Sequence, residues 1–259
     1  MAMKSLLTLF TVLTVSLSSW SQQAELDKGM GYYNKRAEGA IELVAKAGNI
    51  DKAIGHFRTA VSNEATKKDA AVMLMKCYYY KGTFVETEKD KRLAVYNLSK
   101  ALGEKMMAAY PESAPIVYWH ATNMGKWGET SGILKAAKEG LADLMKEWCE
   151  KVIELNASYK DGAGDRMLGI VHFKTPYIPF ILSWPDNDDA LLHLEKALKY
   201  NDKDFIANVY YAQALKSDGE KEKAIAILEK VVTWEPAPKQ LLEDKKELKE
   251  AKRLLKAYK

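Results

Sequence analysis

Apolar residues recur along most of this chain at the three- and four-residue spacing of helix faces, broken by short turn-forming clusters. The pattern resolves into paired helices. A first pair is predicted over 34–47 and 50–64, with a turn at Gly48-Asn49, and a second over 67–80 and 86–109, joined through Lys81-Gly82-Thr83-Phe84. A third pair joins the helix around Tyr118 to Trp127 with one over 131–155. A fourth, over 160–173 and 188–200, is interrupted between its halves, and helices over 204–216, 220–234 and 239–258 close the array.

The pairs repeat. Gly48, Ala53, Phe57 and Ala60 have the same spacing as Gly219, Ala224, Leu228 and Val231, and Ala190, Leu194 and Ala197 precede Ala224, Leu228 and Val231 by 34 residues, the length of a tetratricopeptide unit. Ala94, Leu98 and Ala101, then Met145, Cys149 and Val152, fit as two further units. Small first and third residues let antiparallel helices approach closely, and the middle apolar residue fills the gap. The unit starts at Ala53, Ala94, Met145 and Ala190 lie further apart than the standard repeat, so the central units are longer. The expected fold is all-α: a tetratricopeptide-like helical-hairpin solenoid with elongated, divergent central units. Its last helix, with Leu241, Leu248, Leu255 and Tyr258 set against lysines and glutamates, reads as a cap with a solvated outer side.

The segment from Ala114 to Gly128 is predicted to be one helix, with proline at its start and glycine at its end. Val117, His120, Met124 and Trp127 form one line. Trp119, Asn123 and Trp127 form another, beside Tyr118, Thr122 and Lys126. Two indoles around an amide, next to a hydroxyl and an ammonium, suit a ligand or pore surface, for which Tyr118, Trp119, Asn123, Lys126 and Trp127 are the candidates. The same tryptophans also suit a core between packed helices.

The stretch from Lys174 to Pro185 holds three prolines, which forbid a regular helix, and many large apolar side chains. It reads as a plug on neighbouring hairpins or as a contact surface, with Lys174, Tyr177, Phe180 and Trp184 as the candidates. Asp186-Asn187-Asp188-Asp189 beside it reads as a helix cap, since the glycine and distal glutamate of a calcium loop are missing. Asp161-Gly162-Ala163-Gly164-Asp165 reads as the turn into a helix.

Composition narrows the function. Lys plus Arg number 39 against 35 Asp plus Glu, a net charge of +4 that gives no nucleic-acid footprint. His56, His120, His172 and His193 have no paired spacing for zinc, and no nucleophile with its base, phosphate loop or acid–base pair is recognisable, so neither an enzyme nor a metal or organic cofactor is expected. Lys4 followed by an apolar run to Leu17 and small residues at Ser19 and Ser21 reads as a secretory signal peptide over 1–21, leaving a helical domain over 22–259 that is exported to the periplasm. No cysteine stands at the signal boundary to carry a lipid. Cys77 and Cys149 are compatible with a disulfide or with two buried thiols.

With these features together, the chain resembles the tetratricopeptide T component associated with TRAP-type transporters. The resemblance rests on Ala114-Pro115-Ile116-Val117-Tyr118-Trp119 with Gly125-Lys126-Trp127, on Leu155 to Ala163, on Leu168-Gly169, and on Ala190, His193 to Leu198 and Tyr211-Ala212. It implies a non-enzymatic accessory of solute uptake that forms a homotrimer, meets the substrate-binding P subunit and takes a small hydrophobic organic acid, whose carboxylate Asn123, Lys126 or Lys174 would hold. The competing expectation is a general periplasmic tetratricopeptide scaffold for protein–protein interaction.

Overall fold

The structure is a computed structural model and describes residues 23–132, 136, 139–178, 180 and 182–259; the expected signal peptide lies outside them. Among these residues the chain forms helices, turns and two isolated β-bridges, with no strand. It divides into two compact units between Tyr110 and Pro111.

The first unit contains α1 (residues 23–34), α2 (Ala47–Ala60), α3 (Lys67–Tyr80) and α4 (Lys89–Ala109). Ala53, Phe57 and Ala60 are fully buried on α2, as their spacing predicts. The Phe57 ring lies so close to α1 that a Cβ on Gly29 would fall 2.6 Å from it. At the same interface His56 stacks on Tyr32 with ring centroids 5.5 Å apart, and its Nδ1 meets Glu25 at 2.7 Å.

The first helix of this hairpin is not where the repeat template puts it. Residues 34–47 do not form the expected helix; α1 ends at residue 34, and residues 35–46 carry the chain round to α2. This connection is closed by a bridge in which Ile41 and Val44 exchange N–H···O bonds of 2.9 Å. Arg36 fixes its start, with its guanidinium 4.3 Å from the Tyr33 ring and its carbonyl accepting from the Tyr80 hydroxyl at 3.2 Å. Gly48 is consequently inside α2, whereas Gly219, with φ of 86°, makes a tight turn. The two glycines are not equivalent, although the triples that follow them are.

A second correction concerns α4. Ala94, Leu98 and Ala101 face solvent, with Leu98 49% exposed, while Val95, Tyr96, Ser99 and Met106 point inward. The cause is the π-helical turn Lys81–Val85 that precedes α4. Gly82 there leaves a notch for the Tyr96 ring, which a Cβ would approach to 2.5 Å, and the Tyr96 hydroxyl is 3.1 Å from Thr83 Oγ1. Seating that ring rotates the helix away from the assumed register.

The second unit contains α5 (Ala114–Ser131), α6 (Leu141–Asn156), α7 (Ala163–Lys174), α8 (Asn187–Tyr200), α9 (Phe205–Ser217), α10 (Lys221–Val231), a 3-10 turn (Pro238–Gln240) and α11 (Leu241–Tyr258). Each helix packs on the next, and α9 also meets α7 and α11. Cys149 and Val152 on α6, Ala190, Leu194 and Ala197 on α8, and Ala224, Leu228 and Val231 on α10 are all buried, each set on the second helix of its hairpin. Of the expected helix over 131–155, residues 133–135 and 137–138 lie outside the described residues, and α6 begins at Leu141, after Gly140 in the left-handed region at φ 64°. Helix α11 does cover the preceding hairpin, but through Leu242, Ala251 and Leu254; the predicted Leu248, Leu255 and Tyr258 are only half-buried beside them.

Cys77 and Cys149 are buried free thiols, and burial pushes both well above the ordinary thiol range.

Candidate functional site: the lysine cluster and the α7–α8 connection

Helix α5 begins with Pro115 in its first turn and ends at Gly132, whose φ of 105° few other residues adopt. Between these ends it is buried on nearly every side, from Ile116, Val117 and Ala121 to Met124. A helix apolar all round belongs inside. Tyr118 and Trp119 are 7% exposed, Asn123 1% and Trp127 3%, so these four candidates lie in the interior of the second unit.

Their polar atoms are largely used locally. Asn123 Nδ2 donates to the Trp119 carbonyl and Thr122 Oγ1 to the Tyr118 carbonyl, both at 2.8 Å. Tyr159, hydrogen-bonded to Trp119, has its phenol pushed up to about 12 by burial. The Lys160 ammonium stands 5.8 Å from the Trp119 ring.

Tyr118 belongs to a network that the sequence does not reveal. Arg166 on α7 donates to the Tyr118 hydroxyl at 3.2 Å and forms a short ion pair with Asp204, which caps α9 by accepting from Ala207 N at 2.9 Å. Burial opposes the guanidinium charge, but Tyr118 and Asp204 outweigh it and raise the Arg166 pKa. One arginine thus ties α5, α7 and the start of α9 together. It borders a cleft of about 520 Å³ whose far wall is Trp234, Glu243 and Asp244.

Lys126 is the one predicted residue of α5 that reaches solvent, and the structure brings it to Lys174. Lys126 Nζ is 2.7 Å from Glu129 Oε2, and Lys174 Nζ, from the last residue of α7, is 2.7 Å from Glu129 Oε1. Tyr210 on α9 hydrogen-bonds Lys174, whose ammonium lies 5.9 Å from its ring. Lys246 on α11 pairs with Glu247 at 2.6 Å and acts on Lys126 as a like charge. Burial disfavours the Glu129 carboxylate, yet Lys126 and Lys174 more than offset it and hold its pKa at about 2. Burial, and then the charges of Lys246 and Lys174, lower the Lys126 pKa despite Glu129. Glu129, Tyr210 and Lys246 escape the sequence reading because an exposed glutamate and lysine on helices look like ordinary solvated charge. Only the packing of four helices makes them neighbours.

The α7–α8 connection, residues 175–186, separates its predicted contacts. Leu182 and Pro185 turn inward, and Ile178 and Leu182 exchange N–H···O bonds of 2.8 and 2.7 Å. Trp184 anchors the connection by donating from Nε1 to Asp143 at 2.7 Å and meeting His172 edge-on at 5.1 Å. Tyr177 points outward, as does Phe180, which is fully exposed at φ 66°, an uncommon conformation for an aromatic residue. Asp186 caps α8, accepting from Asp188 N at 2.6 Å and Asp189 N at 3.4 Å, as its sequence context predicts. Beneath it His172 and His193 stack at 6.0 Å, and His193 Nδ1 meets Asp165 at 2.7 Å. Burial lowers the His172 pKa, as do His193 and Lys146, against the opposing charges of Asp189 and Asp186.

Among the described residues no group of histidine, cysteine or carboxylate side chains is arranged to hold a metal ion, and no helix is long and apolar enough to cross a membrane. Taken together, stacked hairpins with buried small–large–small triples and a cationic cluster where several helices meet describe a tetratricopeptide-like helical protein. In fold the chain is similar to a thermophilic TPR protein of Thermus thermophilus, with a TM-score of 0.56 and 15% identity over 92% of this chain and 98% of that one. It is also similar to yeast Tom70, with a TM-score of 0.52 and 15% identity over 93% of this chain and 42% of that one. No curated protein matches it in sequence. The model of the TRAP transporter T-component family matches residues 48–259, and the chain belongs to that family.

Proposed function

We propose that this protein is an exported, non-enzymatic accessory of a TRAP-type solute uptake system, which binds the system's substrate-binding subunit and takes a small hydrophobic organic acid. Family membership across residues 48–259 carries the reading. Two features support it. Lys126 and Lys174 converge on one carboxylate, and Tyr118, Trp119, Asn123 and Trp127 are buried on the helix that carries Lys126. Tyr177 and Phe180 stand clear of the surface on a connection whose base is anchored through Trp184, an arrangement suited to inserting aromatic side chains into a partner.

Cross-linking in the native envelope, followed by mass spectrometry of the captured proteins, tests the reading. Recovery of the substrate-binding subunit is expected. Recovery of an unrelated envelope complex would instead favour a general tetratricopeptide scaffold, and native mass spectrometry of the same preparation reads the oligomer and any retained small molecule.

A further inference from the structure

We infer that the lysine cluster is a carboxylate receptor occupied by the protein's own Glu129, and that a monocarboxylate with an aromatic or aliphatic body displaces this side chain to bind. The inference rests on the transport reading above and names the site at which the organic acid would be held.

The Lys126–Glu129 contact alone is an i,i+3 pair along α5, and what sets the arrangement apart is a second lysine on the same carboxylate. Lys126 and Lys174 come from different helices, and each takes a different oxygen of the same carboxylate at 2.7 Å. An exposed lysine–glutamate pair contributes little to stability and does not need two cations. Here a third ammonium, Lys246, is held nearby by Glu247, whose side chain is 8% exposed. Three cations thus face two carboxylates, and the surplus is positive even with Glu129 in place. If Glu129 rotates away, the surplus doubles and Lys126 and Lys174 lose their shared carboxylate, which an incoming one restores.

Glu129 sits near the end of α5 with its side chain 43% exposed, as is that of Lys174, so it can turn out into solvent, whereas the Lys126 side chain is 22% exposed. Phe173 and Tyr210 meet edge-to-face at 6.3 Å beside Lys174 and supply an apolar flank for the body of the acid. Lysine offers a movable point charge, which suits a site that exchanges one carboxylate for another.

The test is isothermal titration of the full mature chain with 4-phenylbutyrate, and with 4-phenylbutyramide as its neutral counterpart. Wild-type protein should bind the acid weakly, and Glu129→Gln should bind it about tenfold more tightly or better, as removal of a competing charged hydrogen-bond partner predicts. The Lys126→Gln/Lys174→Gln double variant should lose binding, and the amide should not bind any of the three. A gain in Glu129→Gln cannot come from misfolding. Binding no tighter in Glu129→Gln than in wild type, or equal binding of acid and amide, overturns the inference. Capture of the substrate-binding subunit separates the two levels: a wild-type chain that captures it while neither wild type nor Glu129→Gln binds the acid overturns this site and leaves the transport reading standing, whereas failure of the wild-type chain to capture that subunit overturns the reading itself.

Discussion

Gly169 of α7 faces Leu194 of α8 so closely that a Cβ would lie 2.7 Å from Leu194 Cγ and 3.0 Å from the Ala190 carbonyl. The crossing repeats the relationship of Gly29 to Phe57 in the first unit, where the same middle position of the buried triple meets a glycine on the partner helix. Gly169→Ala forces one helix off the other and should cost about 1–3 kcal/mol. Gly55→Ala is the control, because nothing lies within 4 Å of a Cβ there. That substitution should stabilise by about 0.5–1 kcal/mol through helix propensity alone. Chemical denaturation of both variants checks the pair of signs.

Arg166 and Asp204 form a buried ion pair in which each partner has a second duty, at Tyr118 and at the cap of α9. Arg166→Ala strands a carboxylate and should cost about 3–5 kcal/mol. A double-mutant cycle with Asp204→Ala should give a loss well below the sum of the single losses, since the second substitution removes the stranded charge. Additive losses would show that the two residues act independently.

Asp244 accepts a 2.8 Å hydrogen bond from Ala237 N, which lowers its pKa, but burial, then the charges of Glu243, Asp204 and Glu247, raise it to about 6. Because the folded-state value exceeds that of the unfolded chain, the folded state binds the extra proton. The associated stability is fully present below pH 4 and is lost as pH rises through 6. Asp244→Asn keeps an acceptor for Ala237 and removes the charge. It should raise stability at pH 7.5 by about 1–3 kcal/mol and flatten the decline between about pH 4 and 6, as measured by urea denaturation across pH.

Trp184 holds the α7–α8 connection through Asp143 and His172. Trp184→Ala should speed chymotryptic cleavage near Tyr177 and Phe180 several-fold while the unfolding midpoint moves much less, because local opening limits such cleavage. Equal effects on both would mean that the connection and the core open together.

Much of the architecture is legible in the sequence because it depends on local periodicity. Helix α3 falls at residues 67–80 as predicted, and the triples around Phe57, Cys149, Leu194 and Leu228 are buried as their spacing requires. The errors have physical causes that spacing does not carry. Gly29 lets α1 approach Phe57, a contact between helices that spacing does not carry, and the repeat template drew the first helix too late. In α4 the register follows the fit of Tyr96 against Gly82, a contact made through the preceding turn rather than by an apolar stripe. At the site, Lys126 and Lys174 are recognisable as cations on the right helix and at the right connection. Their common carboxylate is not, because Glu129, Tyr210 and Lys246 meet only after α5, α7, α9 and α11 have packed.

The long connections at residues 35–46 and 175–186 leave the helices on either side as closely seated as a short turn would. Doubling the length of such a connection costs only about 0.6 kcal/mol in closure entropy. Each is therefore a position where new recognition surface can be spliced in or trimmed away without renegotiating the interior, and a lineage that changed its partner could do so by rewriting these two stretches while the helical frame was inherited intact.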